Sequence, residues 1–179
     1  MSKDSQTGAI VVELKKCLSC RACETACAEA HVDADSLLEA IMEGKPLVPR
    51  VKVIAAGGGG VPVQCQHCED APCIEVCPSG ALYKDEETGR TLTAPEKCIG
   101  CHSCVVVCPF GAVSWNTREK RIVKCDLCEG IIEEGEQPRC VTACPTHARR
   151  VVNLDDLIKE RQKQSADRTV LAAEAEEQD

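Results

Sequence analysis

Aromatic side chains are nearly missing from this chain: one Trp, one Tyr and one Phe make up 2% of 179 residues. Aromatic residues normally supply much of the bulk of a protein core, so something else has to fill this one. A clean membrane-spanning run is missing too. Residues 98–117 are uncharged and long enough to cross a bilayer, but they carry four cysteines and the break Pro109-Phe110-Gly111. The opening residues, Met1 to Gly8, show neither an apolar segment nor a twin arginine. No export signal is therefore expected, and a cytoplasmic location is. Positive charge is in deficit as well, with 21 Lys and Arg against 29 Asp and Glu, a formal charge of −8. That argues against nucleic acid and for a partner with a basic or neutral face.

Cysteine is what the chain has in abundance, sixteen residues in four groups of four. The first group, Cys17, Cys20, Cys23 and Cys27, reads C-x2-C-x2-C-x3-C. The third, Cys98, Cys101, Cys104 and Cys108 followed by Pro109, is the full bacterial ferredoxin run. The second group (Cys65, Cys68, Cys73, Cys77, Pro78) and the fourth (Cys125, Cys128, Cys140, Cys144, Pro145) lengthen the gap before their third cysteine. In such motifs the first three thiolates hold one cubane and the fourth ligates a neighbouring one. Sixteen thiolates in four such groups fill four 4Fe-4S clusters with none left over. Because no ligand cysteine is replaced, all four clusters are expected to be of that type.

Two other uses of cysteine compete. A density this high in a short secreted chain would mean disulfides, but in a reducing compartment clustered cysteines are metal ligands. Zinc, in a structural module without a redox role, is the rival reading. Zinc sites, however, use two separated pairs and need neither a triple C-x2-C-x2-C nor the C-x3-C-P ending. A C-x3-C-x2-C radical triplet is not present. With clusters in place of aromatic bulk, folding is expected to depend on metal.

Between the motifs the pattern predicts short elements. Residues 9–14 read as a strand and 22–30 as a helix carrying Cys23 and Cys27 one turn apart. A helix over 36–43 stopped by Gly44, a strand over 48–54 and a flexible glycine loop at 57–60 follow. The segment 82–95 reads as a hairpin turning at Glu86-Glu87-Thr88-Gly89-Arg90. Strands are expected over 112–116, 121–124 and 151–154, a helix over 155–164, and a disordered acidic end over 174–179. His67 and His102 sit inside ligand motifs but are not expected to bind iron, since sixteen cysteines suffice. His31 reads as a hydrogen bonder at a helix end, and Trp115 as packing beside a cluster. Lys120, Arg121 and Lys124 would raise a nearby potential, meet an acidic partner, or form a solvated face. No nucleophile with a base stands out, and no cluster has an open ligand position, so the chain reads as a relay and not an enzyme. The spacing leaves two pairings open: neighbouring motifs, or the first with the fourth and the second with the third.

The series Cys17-Leu18-Ser19-Cys20-Arg21-Ala22-Cys23, Cys65-Gln66-His67-Cys68, Cys98-Ile99-Gly100-Cys101 and Lys124-Cys125-Asp126-Leu127-Cys128 resembles the four-cluster iron-sulfur subunits of the dimethyl sulfoxide reductase and formate dehydrogenase type. It is also similar to the ferredoxin-like partners of carbon monoxide dehydrogenase and formate-linked hydrogenases. The resemblance covers residues 8–154. It departs at Ala28, where the other groups have proline, and in lacking the transmembrane helix of membrane-bound relatives. What it implies is an α+β fold of two ferredoxin-like two-cluster modules, one nested inside the other, with short strands and helices wrapped around four cubanes. Residues 8–32 and 117–154 would form the outer module, 33–60 an insertion, 61–116 the inner module, and 155–179 a C-terminal helix and acidic tail. By the nested pairing Cys17, Cys20, Cys23 and Cys144 share a first cluster, and Cys125, Cys128, Cys140 and Cys27 a second. Cys65, Cys68, Cys73 and Cys108 share a third, and Cys98, Cys101, Cys104 and Cys77 a fourth. The partners implied are a catalytic oxidoreductase subunit and a second redox protein.

Overall fold

The computed structural model describes residues 8–133 and 135–176. Its regular structure is short, as expected of a chain whose cysteine turns interrupt every run. Strand β1 (Gly8–Val12) leads through a single 3-10 turn, Leu14–Lys16, to helix α1 (Ala22–Ala30) and helix α2 (Leu37–Met42). Strands β2 (Lys52–Ala56) and β3 (Gly59–Val63) precede helix α3 (Pro72–Glu75), β4 (Leu82–Lys84) and β5 (Thr91–Thr93). Helix α4 (Ser103–Val107), β6 (Ser114–Asn116), β7 (Arg121–Val123), helix α5 (Arg139–Thr142), β8 (Arg149–Asn153) and helix α6 (Leu154–Glu176) complete the order.

The strands form antiparallel ribbons of two: β2 with β3, β4 with β5, β6 with β7, and β1 with β8. The last pairing joins the two ends of the cysteine-bearing region, in register from Gly8 opposite Asn153 to Val12 opposite Arg149. Helix α1 packs against α5, and α3 against α4. Two hydrophobic cores follow this arrangement. One gathers Ile10, Val51, Val53, Leu127 and Val141 with Cys23, Cys27, Cys125 and Cys140. The other gathers Leu82, Val113, Ile122 and Cys104, with Cys73, Cys77, Cys98, Cys108 and Trp115 packed on it.

Local signals account for several elements. Ser36 caps α2, its hydroxyl accepting from the Glu39 N–H at 3.2 Å, and Gly44 ends it at φ 66°. The 82–95 hairpin turns where the sequence predicts. Asp85 accepts there from the Thr88 N–H at 2.9 Å.

Four expectations need correction. The first strand stops at Val12, and Leu14 belongs to the following 3-10 turn. The strand read at 48–54 runs over Lys52–Ala56 instead, because it is set by its hairpin partner β3. The glycine run is not a flexible loop: Gly57 and Gly58 make the tight turn at φ 57° and 81°, and Gly59 and Gly60 are already in β3. A Cβ on Gly60 would stand 2.7 Å from Ser19 Oγ, so this glycine lets the hairpin lie against the first cysteine turn. Helix α6 runs to Glu176, well past 164 and into the segment read as disordered. Its composition, mostly Ala, Glu, Gln, Lys and Arg, favours helix. Residues 177–179 lie outside the described residues. Arg150, in β8, anchors the start of α6 through Glu160 at 2.7 Å. No helix of the described residues is long and apolar enough to cross a membrane.

Candidate metal centres

Each cysteine group is built on the same backbone device. The residue before the second cysteine is left-handed: Ser19 at φ 56°, His67 at 50°, Gly100 at 71° and Leu127 at 60°. A left-handed residue reverses the chain tightly enough to bring both thiols of a C-x-x-C to one side. It also turns backbone N–H groups onto sulfur. His67 N–H reaches Cys65 Sγ at 3.4 Å, and Leu127 N–H reaches Cys125 Sγ at 3.4 Å.

A second device follows the last cysteine of three groups. Cys77-Pro78-Ser79-Gly80-Ala81-Leu82, Cys108-Pro109-Phe110-Gly111-Ala112-Val113 and Cys144-Pro145-Thr146-His147-Ala148-Arg149 share one course. The fourth residue is left-handed in each (Gly80 64°, Gly111 59°, His147 50°), and the alanine is buried in each. The first group has Ala28 in place of proline, and there α1 continues past Cys27 to Ala30.

Cysteines of the first group lie near cysteines of the fourth, and cysteines of the second near cysteines of the third. Cys17, Cys20, Cys23 and Cys144 line one small cavity together with Arg149. Cys27 lies near Cys125, Cys128 and Cys140. Burial pushes the Cys125 thiol up to about 12 and that of Cys128 to about 11, and Cys27 and Cys140 add to both shifts. Cys73 is raised by burial and by its neighbours Cys65 and Cys108, with Cys68 in the same turn as Cys65. Cys104 is pushed by burial up to about 11, with Cys101 and Cys77 contributing, and Cys98 packs on the same core. Adjacent sets also feel each other, Cys23 through Cys140 and Cys104 through Cys73. Cys20 and Cys101 are exposed, and the other cysteines are buried or partly so. Among the described residues, no three or more His, Cys, Asp or Glu side chains are arranged to hold a single metal ion.

The donors fit iron-sulfur ligation: soft thiols, none in a disulfide, with N–H groups turned toward the sulfurs. Burial raises the pKa of Cys23, Cys73, Cys104, Cys125, Cys128 and Cys140, so a metal that takes these thiols as thiolates releases protons.

Polar residues tie the sets together, and the sequence hid most of them. His31 does end α1 as expected, with Nδ1 donating to Cys27 O at 2.7 Å. It also reaches across to Asp126, whose carboxylate Arg50 pairs with as well. Burial alone lowers the His31 pKa, but the Asp126 and Cys27 acceptors outweigh it and carry it up to about 9. Burial raises Asp126, and His31 and Arg50 more than reverse this, to about 2. The cluster is thus ionised at neutral pH. Lys124, one of the three cations read as a basic face, is only 3% exposed. Its ammonium donates to Thr91 O and to Cys125 O, the latter at 2.8 Å. It follows directly on β7 and is turned inward, which a charge count cannot reveal. His67 Nδ1 accepts from the Thr91 N–H at 3.2 Å, and burial with nearby Lys124 and Arg90 holds its pKa down at about 3. Trp115 meets the His102 ring edge-on at 4.1 Å. Arg149 and Gln64 were not singled out from the sequence. Both are buried at 3% exposure, with Arg149 Nη2 donating to Gln64 Oε1 at 3.2 Å. The repeated C-P-x-x-A frame was the signal that would have found Arg149.

Comparison with known proteins agrees with this chemistry. The family model of the 4Fe-4S dicluster domain matches residues 60–154. An iron-sulfur protein of Rhodospirillum rubrum is 43% identical over 153 residues, 78% of this chain and 78% of its own length. The electron transport protein HydN of Escherichia coli (strain K12) is 35% identical over 175 residues, 88% of this chain and 96% of its own. The arsenate respiratory reductase iron-sulfur subunit ArrB of Shewanella sp. (strain ANA-3) is 30% identical over 197 residues, 82% of this chain and 82% of its own. On the strength of the domain match and of relatives this similar over most of their length, the chain belongs to the 4Fe-4S dicluster family of iron-sulfur proteins.

Proposed function

We propose that this chain is the electron-transfer subunit of an oxidoreductase complex, relaying electrons through four 4Fe-4S clusters between a catalytic subunit and a second redox partner. The observation that supports it is that thiols of the first group lie near those of the fourth, and thiols of the second near those of the third. In this reading Cys17, Cys20, Cys23 and Cys144 hold the first cluster, and Cys125, Cys128, Cys140 and Cys27 the second. Cys65, Cys68, Cys73 and Cys108 hold the third, and Cys98, Cys101, Cys104 and Cys77 the fourth. When bound, the clusters supply reversible one-electron chemistry. The protein holds them, shields them and sets their potentials.

The two cores support a nested arrangement, with residues 8–32 and 117–154 around one pair of clusters and 61–116 around the other. The exposed part of the insertion 33–60, whose Val51 and Val53 belong to the first core, and the segment 155–179 then remain for docking. The partner belongs to the class served by dimethyl sulfoxide reductase-type, carbon monoxide dehydrogenase or hydrogenase iron-sulfur subunits. The likeness to the iron-sulfur subunit of an arsenate respiratory reductase extends that class to other oxidoreductases. A zinc module is disfavoured by the electron-transport relatives.

Anaerobic purification from the native source tests both halves. About sixteen iron and sixteen sulfide per chain are expected, together with a larger co-purifying redox subunit. A zinc-dominant analysis, or iron reproducibly near half that value, would defeat the four-cluster reading.

A further inference from the structure

Arg149 occupies a slot that is apolar elsewhere in the molecule. In the C-P-x-x-A frame, the residue after the alanine is Leu82 behind the second group and Val113 behind the third, both buried in the second core. Behind the fourth group it is Arg149, equally buried at 3% exposure. A guanidinium held out of water is costly unless counter-charge and acceptors compensate it. Among the described residues its hydrogen-bond partners are the neutral Gln64 amide at 3.2 Å and Cys140 Sγ at 3.4 Å. Its Nε and Nη1 are buried without a partner. The same side chain lines the cavity of Cys17, Cys20, Cys23 and Cys144. It therefore touches two thiol sets, the first through that cavity and the second through Cys140. Neither set lies beside a second buried arginine in the same frame, because the frame occurs once among the outer groups.

We propose that Arg149 is a buried counter-cation shared by the two centres of the outer pair, raising the reduction potential of both. This rests on the four-cluster reading above. An added electron makes a cluster one charge more negative, and a fixed cation within a few ångströms, shielded from water, favours that state. Arginine suits the task because it stays protonated and presents several donors in a rigid fork. Gln64, whose amide N–H is itself held by Ile10 O at 3.2 Å, fixes the direction of that fork. Arg149 is thus a positioning and tuning residue, not a ligand.

The test is a potentiometric titration of the full-length, anaerobically purified protein, followed by paramagnetic resonance, on wild type, R149L and R149K. Leucine is the residue this frame already accepts at position 82. Signals are assigned to the outer pair with C17S and C128S. In R149L the two outer midpoints should move negative, so that the reduced-to-oxidised ratio at a fixed potential falls about tenfold, equal to 59 mV for one electron. R149K should keep most of the wild-type value, and the inner signals should stay in place. Unmoved outer midpoints in R149L, a uniform shift of all signals, or an R149K shift as large as that of R149L would each overturn the proposal. Should R149L lose outer-pair iron while R149K retains it, Arg149 serves assembly and the tuning role is likewise overturned. Iron content of the wild type separates these outcomes from failure of the four-cluster reading itself.

Discussion

His31 Nε2 stands 3.2 Å from Asp126 Oδ1, although 95 residues of chain separate them. One residue ends the helix of the first cysteine group, and the other sits inside the C-x-x-C turn of the fourth. Asp126 Oδ1 also accepts from the Cys128 N–H at 3.0 Å, so the carboxylate shapes the turn while tying it to α1. Replacing Asp126 by Asn removes the anion from between His31 and Arg50. The expected loss is about 2 kcal/mol, a fall in melting temperature of about 4–8 °C for a chain of this size. Thermal melts of the loaded protein measure it, and an unchanged midpoint would mean that the link is not a stabilising one.

The pairing of thiol sets is open to a spectroscopic test. Cys27→Ser should perturb the same paramagnetic signal as Cys128→Ser and leave untouched the signal altered by Cys101→Ser, because a lost thiolate acts locally on one cluster. If Cys27→Ser instead matches Cys68→Ser, neighbouring groups pair and the nested assignment falls.

Removing iron should unfold the protein. Four of the nine buried residues of the first core are cysteines, and little aromatic bulk exists to replace the clusters. Chelation under reducing conditions should abolish the cooperative melt and expose the chain to protease within the regions around Cys27 and Cys140. A chelated protein that keeps its native protease pattern would show that the apolar residues suffice alone.

Helix α6 spans about 34 Å if straight, and its side chains at Val170 and Leu171 are exposed. Deleting residues 155–179 should leave iron content intact and weaken assembly with the catalytic subunit, measured by pull-down from anaerobic extracts. Full-rate electron transfer by the truncated protein would reduce this segment to a solubilising extension.

The chemistry was legible in the sequence because ligand spacing is a local property: a C-x-x-C turn is specified by four residues wherever it lies. Helix α1 was legible for the same reason, as were the Ser36 cap and the Gly44 stop of α2. Longer-range placements were not. The bounds of β2 depend on its partner β3, and an apolar run such as 48–54 carries no register of its own. Lys124 and Arg149 look like surface cations in one dimension. Only the fold turns them inward, where Thr91 O, Cys125 O, Gln64 and Cys140 satisfy part of their hydrogen-bonding capacity. Helix α6 outran its predicted end because its composition is mostly helix-favouring and no glycine or proline marks a stop.

The β1–β8 ribbon sets an order of birth. Val12 leaves the ribosome 137 residues before Arg149, its partner in register, a wait on the order of ten seconds at ordinary rates of synthesis. Within that interval the second and third cysteine groups are completed, at residue 108, before the fourth has begun. In the nested reading the first group, by contrast, holds thiols whose companions in the fourth group have not yet been translated. In that reading the middle of the chain can be completed first, whereas the ribbon can close only once Arg149 has been made.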